Sequence, residues 1–373
     1  MKKLVLVAAA TATFIGFGAV PSSANGISWY INPQLGFDQT SCGGPNGGGG
    51  AQPNQGAGGP SSGPCLTLNQ ALANGTPGDN FFIQEGGTFG PIVLTGNVAI
   101  NGPEDRSVVI EFLPSTLPGC LGTTAGTCNG NADATYAIDI NPNASSNVTV
   151  KLKNIIVNEA AGTNASLHIG NAFNTSLTQV TLRGPNVTSS LLFMNPSLLG
   201  SNGQAQLYMS NCDVGFSNAG GGVDVVPSGA TPTYVHMHNT EVHNMKYGAK
   251  FDASSMSGDA LSVEVESSEF FAFNGSAIAA NGTGSGFAHV ALSRSAVLDS
   301  NQAVNVNGAN ASLILYEDVI IGNGIGVNIT SSEGAGSAGN NLIYANGNGT
   351  ANCEVNGSPS SSCSGILGTV GTQ

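Results

Sequence analysis

The segment Val235-His-Met-His-Asn-Thr-Glu-Val242 alternates apolar and polar residues up to an asparagine and then returns to an apolar residue. The pattern is apolar, any, apolar, any, turn-forming polar, any, any, apolar. It recurs at residues 150–157, 175–182, 207–214, 263–270, 290–297 and 313–320, and successive repeats start 23 to 32 residues apart. A short pattern that repeats at such a period is typical of a solenoid, in which each turn of chain stacks on the previous one.

A second alternating segment lies between the repeats, for example Ala137-Ile138-Asp139-Ile140 and residues 222–225, 303–306 and 326–329. Each period therefore holds about three short strands. When periods stack, every inward side chain meets its equivalent about 4.8 Å away, and burying one Val or Leu contributes about 1.5–3 kcal/mol. Asparagine at the turn position tolerates a left-handed backbone.

A propeller blade would need about 40 residues and four antiparallel strands, and a β-sandwich would need longer strands joined by hairpins. Neither accounts for one pattern repeating in register. The sequence predicts an all-β chain folded as a right-handed parallel β-helix.

Three segments before the first repeat carry a resemblance to a known family: Trp29-Tyr30-Ile31-Asn32-Pro33, residues 64–72 and residues 81–89. With the repeats, they resemble the bacterial right-handed parallel β-helix repeat proteins of the pectin-lyase-like fold. In that family the middle segment is a short N-terminal helix that caps the first coil. Leu66, Leu68, Ala71 and Leu72 fit a one-sided apolar stripe on such a helix. The resemblance is specific for the fold only, and a fold does not imply a function.

The first residues predict export. Met1-Lys2-Lys3 precedes an apolar run and then Ser22-Ser23-Ala24, which is the pattern of a secretory signal peptide cleaved after Ala24. The predicted organisation is a signal peptide at 1–24, an N-terminal loop and cap at 25–80, the β-helix at 81–345 and a tail at 346–373. The mature protein is expected to be secreted, periplasmic or at the cell surface, without membrane insertion.

The charge of the chain excludes two classes of binding partner. The chain has 22 acidic against 9 basic residues and a formal net charge of −13. Nucleic acid and anionic lipid would be repelled by such a chain. A polysaccharide remains the expected partner.

The seven cysteines predict disulfides, since an oxidising compartment permits pairing. Pairs close in sequence are Cys42 with Cys65, Cys120 with Cys128, and Cys353 with Cys363, although spacing alone does not fix connectivity. Local pairing leaves Cys212, which lies at an inward position and is expected to be a buried free thiol.

The repeat also predicts which side chains face outward together. His236, His238, Glu264 and Glu266 fall on one sheet, and Asp213, Glu241, His243 and Glu269 fall round the corner. Stacked carboxylates and imidazoles are able to bind a cation or to supply acid and base. The simpler interpretation is a solvated face, because like charges about 4.8 Å apart cost only about 1 kcal/mol in water. The catalytic candidates are His236, His238, Glu241, His243, Glu264 and Glu266, and the candidates for binding a metal, calcium, are Asp213, Glu241 and Glu269.

Two functions stay open. The clustered acids are expected to lack a neighbouring arginine, because Arg183 and Arg294 fall on separate coils, and neither pectate lyase nor polygalacturonase residue sets occur. These observations favour an exported scaffold without catalysis, binding or structural, with no cofactor. The alternative is a carbohydrate-active enzyme, a polysaccharide lyase or glycoside hydrolase, that uses the outward His/Glu cluster.

Overall fold

The computed structural model describes residues 27–36, 63–105, 107–112, 136–140, 148–159, 165–185, 187–197, 203–330, 334–349, 351–355, 357–360, 363 and 368–369. Within them the chain is an all-β parallel solenoid, which confirms the predicted fold class. Three columns of stacked strands run along it, and consecutive strands within each column pair in parallel.

The first column contains the first two apolar positions of every repeat. Strands are numbered in chain order, and this column comprises β1 (Ser28–Ile31), β2 (Asp79–Ile83), β5 (Val98–Asn101), the first part of β8 (Val148–Glu159), the first part of β10 (Ala172–Arg183), β12 (Ala205–Ser210), β15 (Thr233–His238), β18 (Ala260–Glu266), β20 (Phe287–Ser293), β22 (Ala311–Tyr316), β25 (Gly334–Ser337) and β29 (Gly368–Thr369).

The second column contains the last apolar position of every repeat. It comprises β3 (Gly87–Phe89), β6 (Val108–Phe112), the second parts of β8 and β10, β13 (Asp213–Gly215), β16 (Glu241–Met245), the first parts of β19 (Glu269–Asn281) and β21 (Ala296–Asn307), β23 (Val319–Ile321) and β26 (Leu342–Tyr344).

The third column contains the alternating segments that lie between the repeats. It comprises β4 (Ile92–Leu94), β7 (Ile138–Ile140), β9 (Leu167–Ile169), β11 (Ser190–Met194), β14 (Gly221–Val225), β17 (Tyr247–Asp252), the second parts of β19 and β21, β24 (Ile325–Thr330) and β27 (Cys353–Val355). One further strand, β28 (Ser358–Ser360), pairs antiparallel with β27, and a 3₁₀ turn spans Asn346–Gly349.

A left-handed residue forms the corner between the first two columns, at the turn position of each repeat. The seven residues have φ between 48° and 57°: Asn154, Gln179, Asn211, Asn239, Ser267, Arg294 and Glu317. One left-handed residue redirects a strand without a hairpin, so the chain continues in the same rotational sense. Only three of the seven are asparagine, which adopts the left-handed conformation more readily than most residues. The corner has the same conformation at the other four, so we infer that stacking on the adjacent coils fixes it.

The core consists of apolar ladders that run along the solenoid. The three apolar positions of every repeat are buried. In the first column, for example, Met209, Met237 and Val265 lie in register on adjacent strands. Each strand therefore buries only a few side chains, and its neighbours complete their contacts.

The predicted N-terminal helix is present as α1 (Leu68–Asn74). The side chain of Thr67 caps it by accepting a hydrogen bond from the backbone N–H of Gln70. Leu68 and Ala71 are buried in the same core cluster as β1 and β2, as the stripe predicted. Leu66 departs from the stripe: it precedes the helix and is 38% exposed.

The predicted domain boundaries can be compared with the structure only where residues are described. The predicted signal peptide lies outside the described residues, as do Cys42, Cys120 and Cys128. The columns extend beyond 81–345, since β1 pairs with β2 and β24 pairs with β27. No helix among the described residues has the length and apolar character of a membrane span.

The predicted pair Cys353 and Cys363 forms a disulfide, with the two Cα atoms 5.2 Å apart. Cys65 is also disulfide-bonded, and its pairing with Cys42 stays a prediction. Cys212 is free and buried, as expected. Burial raises the pKa of its thiol to about 11, so it is a core residue with little thiolate character.

Candidate functional site

The outward face of the first column brings four predicted residues together. His236 pairs in register with Glu264, and His238 pairs with Glu266, on the adjacent strands β15 and β18. Because neighbouring strands are about 4.8 Å apart, imidazole and carboxylate groups stand side by side. We call His236, His238, Glu264 and Glu266 the His/Glu face.

Three side chains of the His/Glu face meet at one carboxylate oxygen. Oε2 of Glu266 lies 3.3 Å from Nδ1 of His238 and 3.7 Å from Nε2 of His236. Its other oxygen, Oε1, accepts a hydrogen bond from the guanidinium of Arg294 in the next coil. Nε2 of His236 is buried and has no hydrogen-bond partner. Burial lowers the pKa of His236, which favours the neutral imidazole.

Two tyrosines extend this face. The rings of Tyr208 and Tyr234 lie 5.9 Å apart, and both flank the ring of His236, at 6.4 and 6.5 Å. The hydroxyl of Tyr234 donates to Oε2 of Glu264 at 2.9 Å. Burial raises the pKa of Tyr208. Burial, together with the hydrogen bond to Glu264, raises the pKa of Tyr234. Both phenols are therefore protonated at neutral pH.

The four residues predicted round the corner lie on the second column. Asp213, Glu241 and Glu269 stack in register on β13, β16 and β19. With Asn211 and Asn239 they line a shallow depression of about 350 Å³. No residue of the His/Glu face lines this depression, so the two predicted groups form separate surfaces.

Both ring nitrogens of His243 are engaged by neighbouring side chains. Its Nε2 contacts Oδ1 of Asp213 at 2.9 Å, and its Nδ1 contacts the side-chain amide of Asn244 at 2.9 Å. The ring stacks on Phe271 at 5.0 Å, and its side chain is only 7% exposed. An imidazole with both nitrogens engaged has none left for a substrate proton, so the arrangement does not favour His243 as an acid or base.

The expectation that the acids lack a neighbouring arginine is wrong. Arg183 lies 3.6 Å from Oδ2 of Asp213 and covers the ring of Phe216. Arg294 contacts Glu266. The arginines do fall on separate coils, but their side chains are long enough to reach the next coil. The hydrogen bond from His243, followed by the charges of His243 and Arg183, lowers the pKa of Asp213 against the opposing effect of burial.

The predicted metal ligands stack in register but do not form a compact group of ligand atoms. Among the described residues, one group of three or more potential ligands has all its ligand atoms within 4.8 Å of one another, and it is His236, His238 and Glu266. The proposed calcium ligands Asp213, Glu241 and Glu269 do not form such a group. Asp213 is already occupied by His243 and Arg183.

A further histidine cluster on the third column was missed. His168 pairs in register with Asp139, and its Nδ1 contacts Oδ1 of Asp139 at 2.7 Å. Its Nε2 contacts Oδ1 of Asn195 at 2.8 Å, and its ring is stacked between Tyr136 and Phe193. The outward Asp139 in an alternating segment was the available signal. Like His243, this imidazole has both nitrogens occupied, which points to a structural role.

Comparison with known proteins assigns neither a family nor a function to this chain. No protein-family model matches the chain, and no curated protein matches it by sequence. One similar solved structure is described as the crystal structure of pectate lyase Pel9A, with 14% identity and a TM-score of 0.48, covering 86% of this chain and 79% of that one. The chain itself is a parallel β-solenoid, and its function has to be argued from its own side chains.

Proposed function

We propose that this protein is an exported, non-catalytic scaffold that binds a neutral polysaccharide on the outward face of its first column. The observation that carries the proposal is the group formed by Tyr208, Tyr234 and Glu264. Tyrosine rings offer an apolar surface on which a sugar ring can stack, and their hydroxyls are polar handles. Carboxylate and imidazole groups beside them are suited to the hydroxyl groups of a sugar.

The charge of the face favours a neutral polymer. Glu264 is exposed. Among the described residues, Arg294 is the one arginine or lysine that forms an ion pair with the neighbouring Glu266, and that carboxylate neutralises its charge. With a net charge of −13 for the chain, an acidic polysaccharide would meet repulsion at this surface.

A rigid face suits binding without catalysis. The tyrosines and Glu264 are fixed on parallel strands by in-register pairing, so little side-chain and backbone freedom is lost when a ligand docks. His243 and His168, the two buried imidazoles, have both nitrogens engaged. The enzyme alternative retains one specific observation in its favour, the unpartnered Nε2 of His236.

The test is binding of the full mature chain to a panel of soluble polysaccharides, neutral and acidic, measured by affinity electrophoresis and calorimetry in buffer with a chelator. We expect a neutral polymer to bind and Tyr234→Ala to weaken binding about tenfold, equivalent to about 1.4 kcal/mol. Tyr344→Ala is the matched control, because Tyr344 is 64% exposed on the second column, away from the face.

Two results would contradict this proposal. Equal loss of binding in Tyr234→Ala and Tyr344→Ala would place the ligand elsewhere. Release of shorter sugar products by the wild type, abolished in His236→Ala, would establish the enzyme alternative instead.

A further inference from the structure

His236, His238 and Glu266 are arranged as metal ligands. His236 and His238 are two residues apart on β15 and therefore project from the same side of the sheet. Glu266 is the register partner of His238 on β18. One ligand atom from each side chain lies within 4.8 Å of the other two.

The separations match the edges of a metal coordination shell. Bonds of about 2.0–2.1 Å from zinc to nitrogen and oxygen, at a tetrahedral angle, place neighbouring ligand atoms about 3.4 Å apart. Oε2 of Glu266 lies 3.3 Å from His238 and 3.7 Å from His236. The longer separation exceeds a hydrogen bond, so direct contact does not satisfy the His236 nitrogen.

The surroundings orient the ligands and leave their donor atoms available. Nε2 of His236 is buried without a hydrogen-bond partner, whereas most buried side-chain polar atoms in folded proteins have one. Arg294 holds Oε1 of Glu266 and leaves Oε2 directed at the histidines. This is the role of outer contacts at metal sites, where a ligating carboxylate is itself hydrogen-bonded.

We propose that His236, His238 and Glu266 bind one divalent transition-metal ion of the zinc class. Two imidazoles and one carboxylate suit zinc and its neighbours, whereas calcium takes six to eight oxygen ligands. The side chain of His238 is 46% exposed, so a fourth coordination position faces solvent. Three protein ligands with one open position are the arrangement in which a bound water or ligand group completes the shell. The zinc site shares His236 with the face proposed to bind a polysaccharide, but zinc binding is measured without a polysaccharide and polysaccharide binding is measured in chelator, so each proposal is tested without the other.

The experiment is calorimetric titration of tag-free, chelator-treated full mature chain with zinc chloride, repeated with calcium chloride. We expect saturable binding of one zinc ion per chain and no competition from calcium. His236→Ala and His238→Ala should each weaken zinc binding at least tenfold. His289→Ala is the control, because His289 is an exposed histidine on β20 whose ring contacts Ser312 at 2.7 Å, and it should bind zinc as the wild type does.

A second measurement distinguishes loss of zinc binding from misfolding of the variants. Thermal unfolding in chelator should be nearly the same for wild type and His238→Ala, and zinc should raise the midpoint of the wild type only. Substitution by cobalt should give the visible absorption of a tetrahedral site. The proposal is overturned if the wild type shows no saturable zinc binding, if His236→Ala and His238→Ala bind zinc like His289→Ala, or if calcium displaces zinc.

Discussion

The same inward position, directly after the corner residue, is occupied differently in the two halves of the solenoid. In the earlier coils it carries the apolar side chains of Ile155 and Val180. In the later coils it carries Thr240, Ser268, Ser295 and Asp318, which are equally buried. Cys212 lies at the boundary. The same backbone conformation therefore supports two kinds of stacked inward side chains, which we call the apolar column in the earlier coils and the polar column in the later coils.

The polar column is continuous because every member serves its neighbour. The backbone N–H of Thr240 donates to Oγ of Ser268, and the N–H of Ser268 donates to Oγ of Ser295. The N–H of Ser295 then donates to Oδ1 of Asp318. We call this series the polar ladder. The hydroxyls of Ser268 and Ser295 in turn donate to carbonyls two residues back in their own coils.

The difference shows what a stacked corner requires. The apolar column contributes free energy through area removed from water and close packing. The polar ladder contributes by satisfying groups that would be costly to leave unpaired in the interior. The two halves should therefore respond differently to the loss of a side chain.

The largest effect is expected in the apolar column. Ile155→Ala removes a side chain that is 1% exposed and should lower the free energy of unfolding by about 2–5 kcal/mol through lost burial and a cavity. Ile156→Ala is the matched control, because Ile156 is the next residue on the same strand and is only half-buried. Urea unfolding measures both. Equal losses would contradict the inward assignment of Ile155.

Much of the fold could be predicted because the signal was repeated. Apolar positions such as Val235 and Met237 recur in register, and the turn position that follows them predicted the left-handed corner. The inward direction of Ser268 and Ser295 was missed, since a serine gives no apolar signal and the pattern left that position unspecified. Its polar side chain is buried only because the next coil supplies a partner.

The site was less predictable for a related reason. The pattern placed His236, His238 and Glu266 on one face, since outward direction follows from alternation alone. It could not show how far a long side chain reaches, so the contacts of Arg183 and Arg294 were missed. Nor could it show that His243 is enclosed by Asp213 and Phe271, because enclosure depends on neighbouring coils.

Asp318, a member of the polar ladder, is titratable, so the stability of the later coils should depend on pH. Burial raises the pKa of Asp318 from 3.8 to about 6 against hydrogen bonds from Ser295 and Tyr316. Between about pH 4 and pH 6 the folded chain then binds a proton that the unfolded chain does not. The stability that this group contributes should fall as the pH rises through that window, by up to about 3 kcal/mol.

Asp318→Asn tests this pH dependence. The variant cannot titrate, so its free energy of unfolding relative to the wild type should increase as the pH rises from about 4 to about 7. Urea unfolding at several pH values measures the difference, and Ile155→Ala serves as a control whose difference from the wild type should not depend on pH. A constant difference for Asp318→Asn would show that its carboxyl is charged in the fold throughout.

The smallest effect concerns one member of the polar ladder. Ser268→Ala removes the acceptor for the N–H of Thr240, 3.1 Å away in a buried corner, and should cost about 1–3 kcal/mol. Ser268→Thr should retain most of the stability, because Thr240 already occupies the equivalent position. Ser268→Val introduces a side chain with the bulk of threonine but without its oxygen. Valine already occupies the equivalent position in the apolar column, at Val180.

The comparison of those variants decides whether the two columns are interchangeable. We expect Ser268→Val to be destabilised like Ser268→Ala and the amide of Thr240 to exchange faster with deuterium in both, because its N–H then has no partner. If Ser268→Val were as stable as Ser268→Thr, the later coils would accept an apolar corner as the earlier ones do. The hydrogen bonds of the ladder would then contribute nothing beyond the volume of the side chains.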